Sequence, residues 1–376
     1  MANTPLNKVR VLIVDDSAFM RKVLETILIS DPQLQVIGHA KDGREAIALA
    51  ESLKPDVMTM DINMPHMDGL QATAQIMTTN PRPIVVVSSE SKDGAASTLK
   101  ALELGAIEFI AKPNSAIDLD MQSIREDLLR KVKMAAKVRV VRTASRLAAA
   151  LQAIPQNGAP PIPRPAPVAS RASSAPDQRF PVVVLAASTG GPATVMRLAP
   201  GFTKDFPAAV ILVQHMPAAF TTQFAAQLAE FTEIPVKEAE SGDTIQPGHL
   251  YICPGAQHLR VNPLGRIQLD SVTGRIAGYL PNIDVTMESV AAYGGVLAIG
   301  VVLTGMGADG AQGAKAIKKA GGHVIAQDEA TAVIFGMPAE AIKLQAVDQV
   351  LGLDDIYSAI EKRVIALTRA TPVGVR

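Results

Sequence analysis

Val182-Val183-Val184-Leu185-Ala186-Ala187-Ser188-Thr189-Gly190-Gly191 decides how the second half of the chain is read. An apolar run that turns sharply through small residues describes a buried strand ending in a displayed hydroxyl. The carboxyl ends of parallel strands are where α/β proteins place their chemistry. Two later apolar runs also stop at reactive residue types: Ala208–Val213 leads to Gln214-His215, and Val296–Leu303 to Gly305-Met306-Gly307-Ala308-Asp309. Serine, histidine and aspartate at three strand ends are the parts of a hydrolase.

The same alternation runs from Val9. β-Branched runs at Val9–Val14, Leu34–Ile37, Val57–Met60, Ile84–Val87 and Ile107–Ile110 are separated by helical patterns near Ala18–Ile29, Arg44–Leu53, Leu70–Thr79 and Ala95–Leu104. This predicts a doubly wound, five-stranded parallel sheet, closed by a helix over roughly Leu119–Val141. The segment Ala159–Pro176, rich in Pro, Ala and Ser, cannot build a core and reads as an extended linker. Upstream of it, Arg130, Lys131, Lys133, Lys137, Arg139, Arg142 and Arg146 read as a solvated helix face. From Pro181 a second α/β parallel-sheet unit begins, its helices near Thr194–Leu198, Phe220–Phe231, Val285–Ala292 and Ala311–Ala320 and a fourth strand at Val324–Ala326. Gly242–Asp270, with Pro-Gly and Asn-Pro turns, predicts an inserted β-hairpin. The expected division is therefore 8–130, a connecting stretch 131–180, and 181–370.

Composition narrows the function. The 376 residues suffice for two cores, the formal charge is zero and there is no Trp, which argues against nucleic acid as a partner. The single cysteine, Cys253, excludes an internal disulfide and reads as a small buried hydrophobe. No signal peptide or membrane-spanning run is apparent, so a cytoplasmic protein without membrane insertion is expected.

At the rim of the first sheet the strands run into Asp15-Asp16, Asp61, Ser88 and Lys112. Crowded carboxylates need a cation, and oxygen ligands with room for water suit Mg²⁺. A lysine and a hydroxyl beside it can bind a phosphoryl group, which a carboxylate can accept covalently. Taken singly, each of these residues reads better as an N-cap or a surface charge, but their joint occurrence at consecutive strand ends is hard to obtain that way. The stretch Val11–Pro113 resembles the receiver domain of bacterial two-component response regulators through its Asp-Asp pair, Met-Asp-Ile-Asn-Met-Pro, Val-Ser-Ser and Ala-Lys-Pro segments. That resemblance implies that Asp61 is phosphorylated by a histidine kinase, and that Asp15, Asp16, Asp61 and the carbonyl of Asn63 hold Mg²⁺. It further implies that Ser88 and Lys112 sense the phosphoryl oxygens and that Phe109 is the switch aromatic.

In the second unit Ser188 needs a base and an orienting acid. Of six histidines, His39 and His66 belong to the first unit; His323 precedes its strand, and His249 and His258 fall in the hairpin region. His215 alone follows a long apolar strand there. Asp309 and Asp328 are both placed to orient it, and Asp309 taken alone is equally a helix cap. Ala-Ser-Thr-Gly-Gly, Gln-His-Met-Pro, Tyr-Ile-Cys-Pro-Gly, Leu-Thr-Gly-Met-Gly-Ala-Asp-Gly and Gln-Asp-Glu-Ala-Thr together resemble the chemotaxis protein-glutamate methylesterase family over about Phe180–Ile360. By that resemblance Ser188, His215 and Asp309 form the triad, Thr189 supports the nucleophile and the Met306 N–H serves the oxyanion. The chain departs from the family pattern at Ala186, Leu280 and Ala308.

The resemblance implies a phosphorylation-activated serine hydrolase that removes methyl esters from glutamates, and deamidates glutamines, on methyl-accepting chemoreceptors. Its phosphodonor is a chemosensory histidine kinase, and the catalytic unit needs no cofactor. The unphosphorylated receiver is expected to cover the active-site rim. A non-catalytic regulator whose second unit only binds a partner, and a DNA-binding regulator, are the rival readings.

Overall fold

The computed structural model describes residues 8–89, 91–112, 121–138, 179–270 and 280–370. Pro113, the basic residues Arg139, Arg142 and Arg146, and the Ala159–Pro176 segment lie outside the described residues.

The first sheet holds β1 (Val9–Val14), β2 (Leu34–Ala40), β3 (Val57–Asp61), β4 (Ile84–Ser88) and β5 (Glu108–Ala111), with helices α1 (Ala18–Ile29), α2 (Gly43–Leu53), α3 (Gly69–Thr79), α4 (Lys92–Glu103) and α5 (Met121–Ala135). Its order is β2-β1-β3-β4-β5, all pairs parallel. Ser17, Asp42, Asp68 and Ser91 cap α1 to α4 by accepting backbone N–H bonds, which fixes where each helix leaves its strand. Leu128, Val132 and Ala135 bury one stripe of α5 against β1, β3 and β4.

The basic face of α5 is less solvated than its sequence suggests. Lys131 lies over the Phe109 ring and pairs with Glu108 and Asp127, while Lys133 reaches Asp31 at 2.7 Å.

The second unit contains β6 (Val182–Ala187), α6 (Gly191–Leu198), β7 (Ala209–Gln214), α7 (Ala218–Leu228), β8 (Val236–Glu238), β9 (His249–Ile252), β10 (His258–Val261), β11 (Ile267–Asp270), α8 (Ile283–Gly294), β12 (Ala298–Val302), α9 (Ala311–Lys319), β13 (His323–Gln327), α10 (Met337–Lys343), β14 (Gln349–Leu351) and α11 (Leu353–Ala370). Seven strands form a parallel sheet in the order β14-β13-β12-β6-β7-β9-β8. Two of the three short strands expected in the hairpin region, β10 and β11, pair antiparallel as predicted. The other, β9, instead joins the main sheet beside β7, so His249 belongs to that sheet. Strands β8 and β14 are only three residues long and too polar to stand out in the sequence.

The two units meet on an apolar joint. Helix α4 packs against α6 and α7, and the ring of Phe109 on β5 lies 4.4 Å from that of Phe220 on α7. Val333 packs against the core that holds α5. Phe220 is fully buried, so Phe220→Ala should destabilise the second unit by about 3–5 kcal/mol. Urea titration followed on each unit should then resolve two transitions; one shared transition at the wild-type midpoint would contradict this.

Candidate active site

Both sheets place their reactive residues where the strand order reverses. In the second sheet the chain builds outward from β6 through β7 in one direction and returns to β12 on its other side, leaving a crevice at the carboxyl ends. Val302 pairs with Ala186, and Ala187 with Gln214, so the three strand ends are level.

Ser188 sits in the turn from β6 to α6. Its N–H donates to the Thr304 carbonyl at 3.0 Å, and its own carbonyl accepts from the Gly191 N–H and from Gln214 Nε2, both at 2.8 Å. Gly190 adopts φ +74° with Val333 directly against it, and a Cβ on Gly191 would meet Gln214 Oε1 at 2.0 Å. Gly190 is therefore required by conformation as well as by space, and Gly191 by space alone.

His215 Nδ1 lies 3.1 Å from Ser188 Oγ, and its Nε2 lies 2.7 Å from Asp309 Oδ2. Because the Asp309 carboxylate only accepts, the Nε2–H donates to it, and Nδ1 is left as the acceptor facing the serine hydroxyl. Asp309 is buried, 6% exposed, and also accepts from the N–H groups of Ile283 and Asp284 at 2.9 and 3.0 Å. The carboxylate is thus stabilised by the amino end of α8 as well as by the imidazole.

Asp328, the other acid at a strand end, accepts from the N–H and hydroxyl of Thr331. It is a turn residue and takes no part in this chain of bonds. His258 is buried, and its Nδ1 accepts from the Asn282 N–H. Burial, then nearby Arg260, holds that imidazole below its ordinary pKa. His323 begins β13, at the opposite rim.

Met306 stands in the loop after β12, half-buried. Its N–H finds no acceptor among the described residues, whereas Gly305 on one side donates to Ile334 and accepts from Gly336 and Met337. A Cβ on Gly305 would meet Met337 Sδ at 2.2 Å and Ser188 Cβ at 2.8 Å, so the loop can approach the serine only as glycine. Thr189, 2% exposed, has its carbonyl held by Thr304 Oγ1 at 2.9 Å, and the Thr304 N–H donates to Gln327 Oε1. Gln214 and Thr304, which brace the turn from below, carry no catalytic signature in the sequence. Their positions at the ends of buried strands are the one available hint.

At the other switch point, between β1 and β3, carboxylate oxygens of Asp15, Asp16 and Asp61 all lie within 4.8 Å of one another. Lys112 Nζ reaches Asp15 Oδ2 at 3.0 Å and Asp61 Oδ2 at 2.8 Å. Burial pushes the Asp61 carboxyl above its ordinary pKa, with Lys112 opposing the shift and Asp15 reinforcing it. Three carboxylates against one ammonium leave uncompensated negative charge, so the donor set fits a hard divalent cation. Ser88 is buried beside this rim, its hydroxyl donating to the Gly94 carbonyl at 3.3 Å. Asn63 is exposed in the loop after β3. Phe109 is buried and faces Phe220 rather than solvent.

A family model described as "Response regulator receiver domain" matches residues 11–123, and one described as "CheB methylesterase" matches residues 183–360. A protein-glutamate methylesterase/protein-glutamine glutaminase of Halalkalibacterium halodurans is 39% identical over 95% of this chain and 99% of its own. Its counterpart in Pyrococcus horikoshii is 42% identical over 95% of this chain and 94% of its own. The crystal structure of the Thermotoga maritima CheB methylesterase catalytic domain is 38% identical, covers 50% of this chain and all of its own, and superposes with a TM-score of 0.47.

The chain belongs to the protein-glutamate methylesterase/protein-glutamine glutaminase family.

Its departures from the family pattern have distinct settings. The Ala186 methyl is fully buried in the second core, 3.8 Å from where a Cβ on Gly310 would lie. Leu280 and Ala308 are exposed. No helix among the described residues is long and apolar enough to cross a membrane.

Cys253, fully buried behind β9, is not a competing nucleophile. Burial pushes its thiol up to about 12, so at pH 8 the thiolate is essentially absent. Iodoacetamide at pH 8 should leave the native protein unlabelled and label it stoichiometrically in urea; rapid native labelling would refute this.

Proposed function

We propose that this protein is a phosphorylation-activated esterase that hydrolyses glutamate γ-methyl esters on chemoreceptor cytoplasmic helices and deamidates glutamines there, acting in the cytoplasm. The observation that carries the reading is the continuous bonding from Ser188 through His215 to Asp309. The units assigned are a receiver over 8–130, a connecting stretch over 131–180 and the catalytic unit over 181–370.

In this mechanism His215 Nδ1 takes the Ser188 hydroxyl proton as the oxygen attacks the ester carbonyl. The tetrahedral oxyanion accepts from the Met306 N–H, while Thr189 keeps the nucleophile turn closed. The leaving methoxide takes the proton from His215 and departs as methanol. Water then loses a proton to His215 as it attacks the acyl-enzyme; the Ser188 oxygen leaves, takes that proton back from His215, and glutamate is released. Asp309 fixes the imidazole with Nε2–H directed at its own carboxylate and stabilises the imidazolium formed in each step.

Asp61 is the proposed phosphoacceptor, with a chemosensory histidine kinase as the donor. Asp15, Asp16, Asp61 and the carbonyl of Asn63 would hold Mg²⁺, which when bound supplies positive charge to the transferring phosphoryl group. Lys112 and Ser88 contact the phosphoryl oxygens, and Phe109 senses the change. Two features support coverage of the active-site rim by the receiver. A crevice of about 520 Å³ runs between Leu129 and Lys133 of α5, with Lys137 just after it, and Met306 and Ile334 of the catalytic unit. Val333 touches both the receiver core and the nucleophile turn.

Methanol release from methylated receptor fragments tests the whole reading. Acetyl phosphate should raise the rate in the wild type and not in Asp61→Asn, and EDTA should cancel the increase. Ser188→Ala should lower the rate by about 10⁴-fold or more. A Ser188→Ala variant that fully supports signalling in cells would favour the non-catalytic alternative.

A further inference from the structure

The catalytic acid is held by a reciprocal arrangement of two helix ends. Asp309 lies two residues before α9, yet its carboxylate accepts from the N–H groups of Ile283 and Asp284 at the start of α8. Asp284, in the first turn of α8, sends its carboxylate the other way and accepts from the Gly313 N–H in the first turn of α9 at 2.6 Å. Asp309 therefore caps the helix that carries Asp284, and Asp284 caps the helix that follows Asp309. The normal cap position of α9 is Gly310, at φ +91°, which has no side chain to do this. Asn282 supplies the ordinary cap of α8 by accepting from Val285, so Asp284 is free to serve α9.

The spacing leaves little slack. A Cβ on Gly313 would meet Met287 Cβ at 2.5 Å and the Asp284 backbone at 3.1 Å, and one on Gly310 would meet Ile283 at 3.0 Å. The two helices approach as closely as backbones allow, and the segment that carries Asp309 is pinned between them.

We propose that Asp284 is a positioning residue for the esterase reaction: by accepting from Gly313 it holds the start of α9, and through Gly310 the Asp309 carboxylate, in line with His215. This rests on the reading of Ser188, His215 and Asp309 as the reacting groups. Asp284 does not touch substrate. Its removal lets α9 shift relative to α8, and misplacing a catalytic group by an ångström lowers turnover without weakening substrate binding.

The test uses the full-length chain with acetyl phosphate and a methylated chemoreceptor cytoplasmic fragment, with rates expressed per folded molecule by circular dichroism. Asp284→Ala should lower kcat by about ten- to a hundredfold with KM unchanged. Asp284→Asn, which keeps an acceptor for Gly313, should recover to within about threefold of the wild type. If Asp284→Ala does not fold, Asp284→Glu, which moves the acceptor by one methylene, should still lose about tenfold in kcat.

Wild-type kcat per folded molecule in Asp284→Ala or Asp284→Glu would overturn the proposal. So would a rise in KM alone, or an Asn variant as impaired as Ala. Ser188→Ala runs alongside: methanol release by that variant would remove the triad reading itself, and the inference with it.

Discussion

Parallel strands point the same way, and that constraint organises everything else in this molecule. All carboxyl ends fall on one rim, and the rim opens only where the winding reverses. The receiver reverses between β1 and β3, where Asp15, Asp16 and Asp61 gather; the catalytic unit reverses between β6 and β12, where Ser188 meets the loop that carries Met306 and Asp309. Strand interiors such as Val182–Leu185 and Val210–Val213 are wholly buried and supply rigidity. Ser188, His215 and Asp309 stand one or more residues beyond the ends of β6, β7 and β12, so they inherit strand positions without being fully enclosed, while Asp61 is itself the last rung of β3.

Rigidity at the rim also depends on where main-chain polar groups find partners. The turn at Ser188 is closed by Gly191 and Gln214, and Thr304 ties Thr189 to the Ile334 segment. An unpaired buried N–H or C=O costs about 1–3 kcal/mol, so each of these bonds raises the penalty for leaving the observed geometry. Asp309 makes the point most directly. A buried carboxylate with a single imidazole partner would be poorly compensated. Two backbone donors from α8, the N–H groups of Ile283 and Asp284, supply the further partners that such a carboxylate needs.

How much of this could be read in advance follows the range of the interactions involved. Apolar runs ending in Ser188, His215, Asp61 and Lys112 are local signals, and the structure places each of these residues at a strand end. The choice between Asp309 and Asp328 was not local. Both follow apolar strands, and only the packing of α8 beside the Asp309 loop separates them. The role of β9 was likewise hidden, because its pairing with β7 is set by sheet topology and not by its own four residues. Lys131 and Lys133 read as solvated because their partners, Glu108 and Asp31, lie on other elements. The reciprocal caps of Asp284 and Asp309 are longer-range still, since each bond links residues more than twenty positions apart.

The joint between the units constrains how phosphorylation can act. It is apolar at two places, where Phe109 meets Phe220 and where Val333 packs against the core that holds α5, with a polar contact where Gln227 Nε2 donates to Glu103. A phosphoryl group on the proposed acceptor, Asp61, is charged whereas these rings are apolar, so the proposed route of its influence is geometric. The shortest mechanical connection is β5: Lys112, paired with Asp61, stands three residues from Phe109 on that strand. On the far side, α7 carries Phe220 and begins three residues after His215. A ligand shifts an equilibrium only by its differential interaction with the two states, and moving a joint from mostly closed to mostly open takes about 5.5 kcal/mol. Burial of two aromatic rings is worth a comparable few kcal/mol. On the proposed reading, in which the receiver covers the rim, displacing Phe109 alone would remove a large part of what holds that contact, so this one aromatic pair would couple a polar event to an apolar interface efficiently.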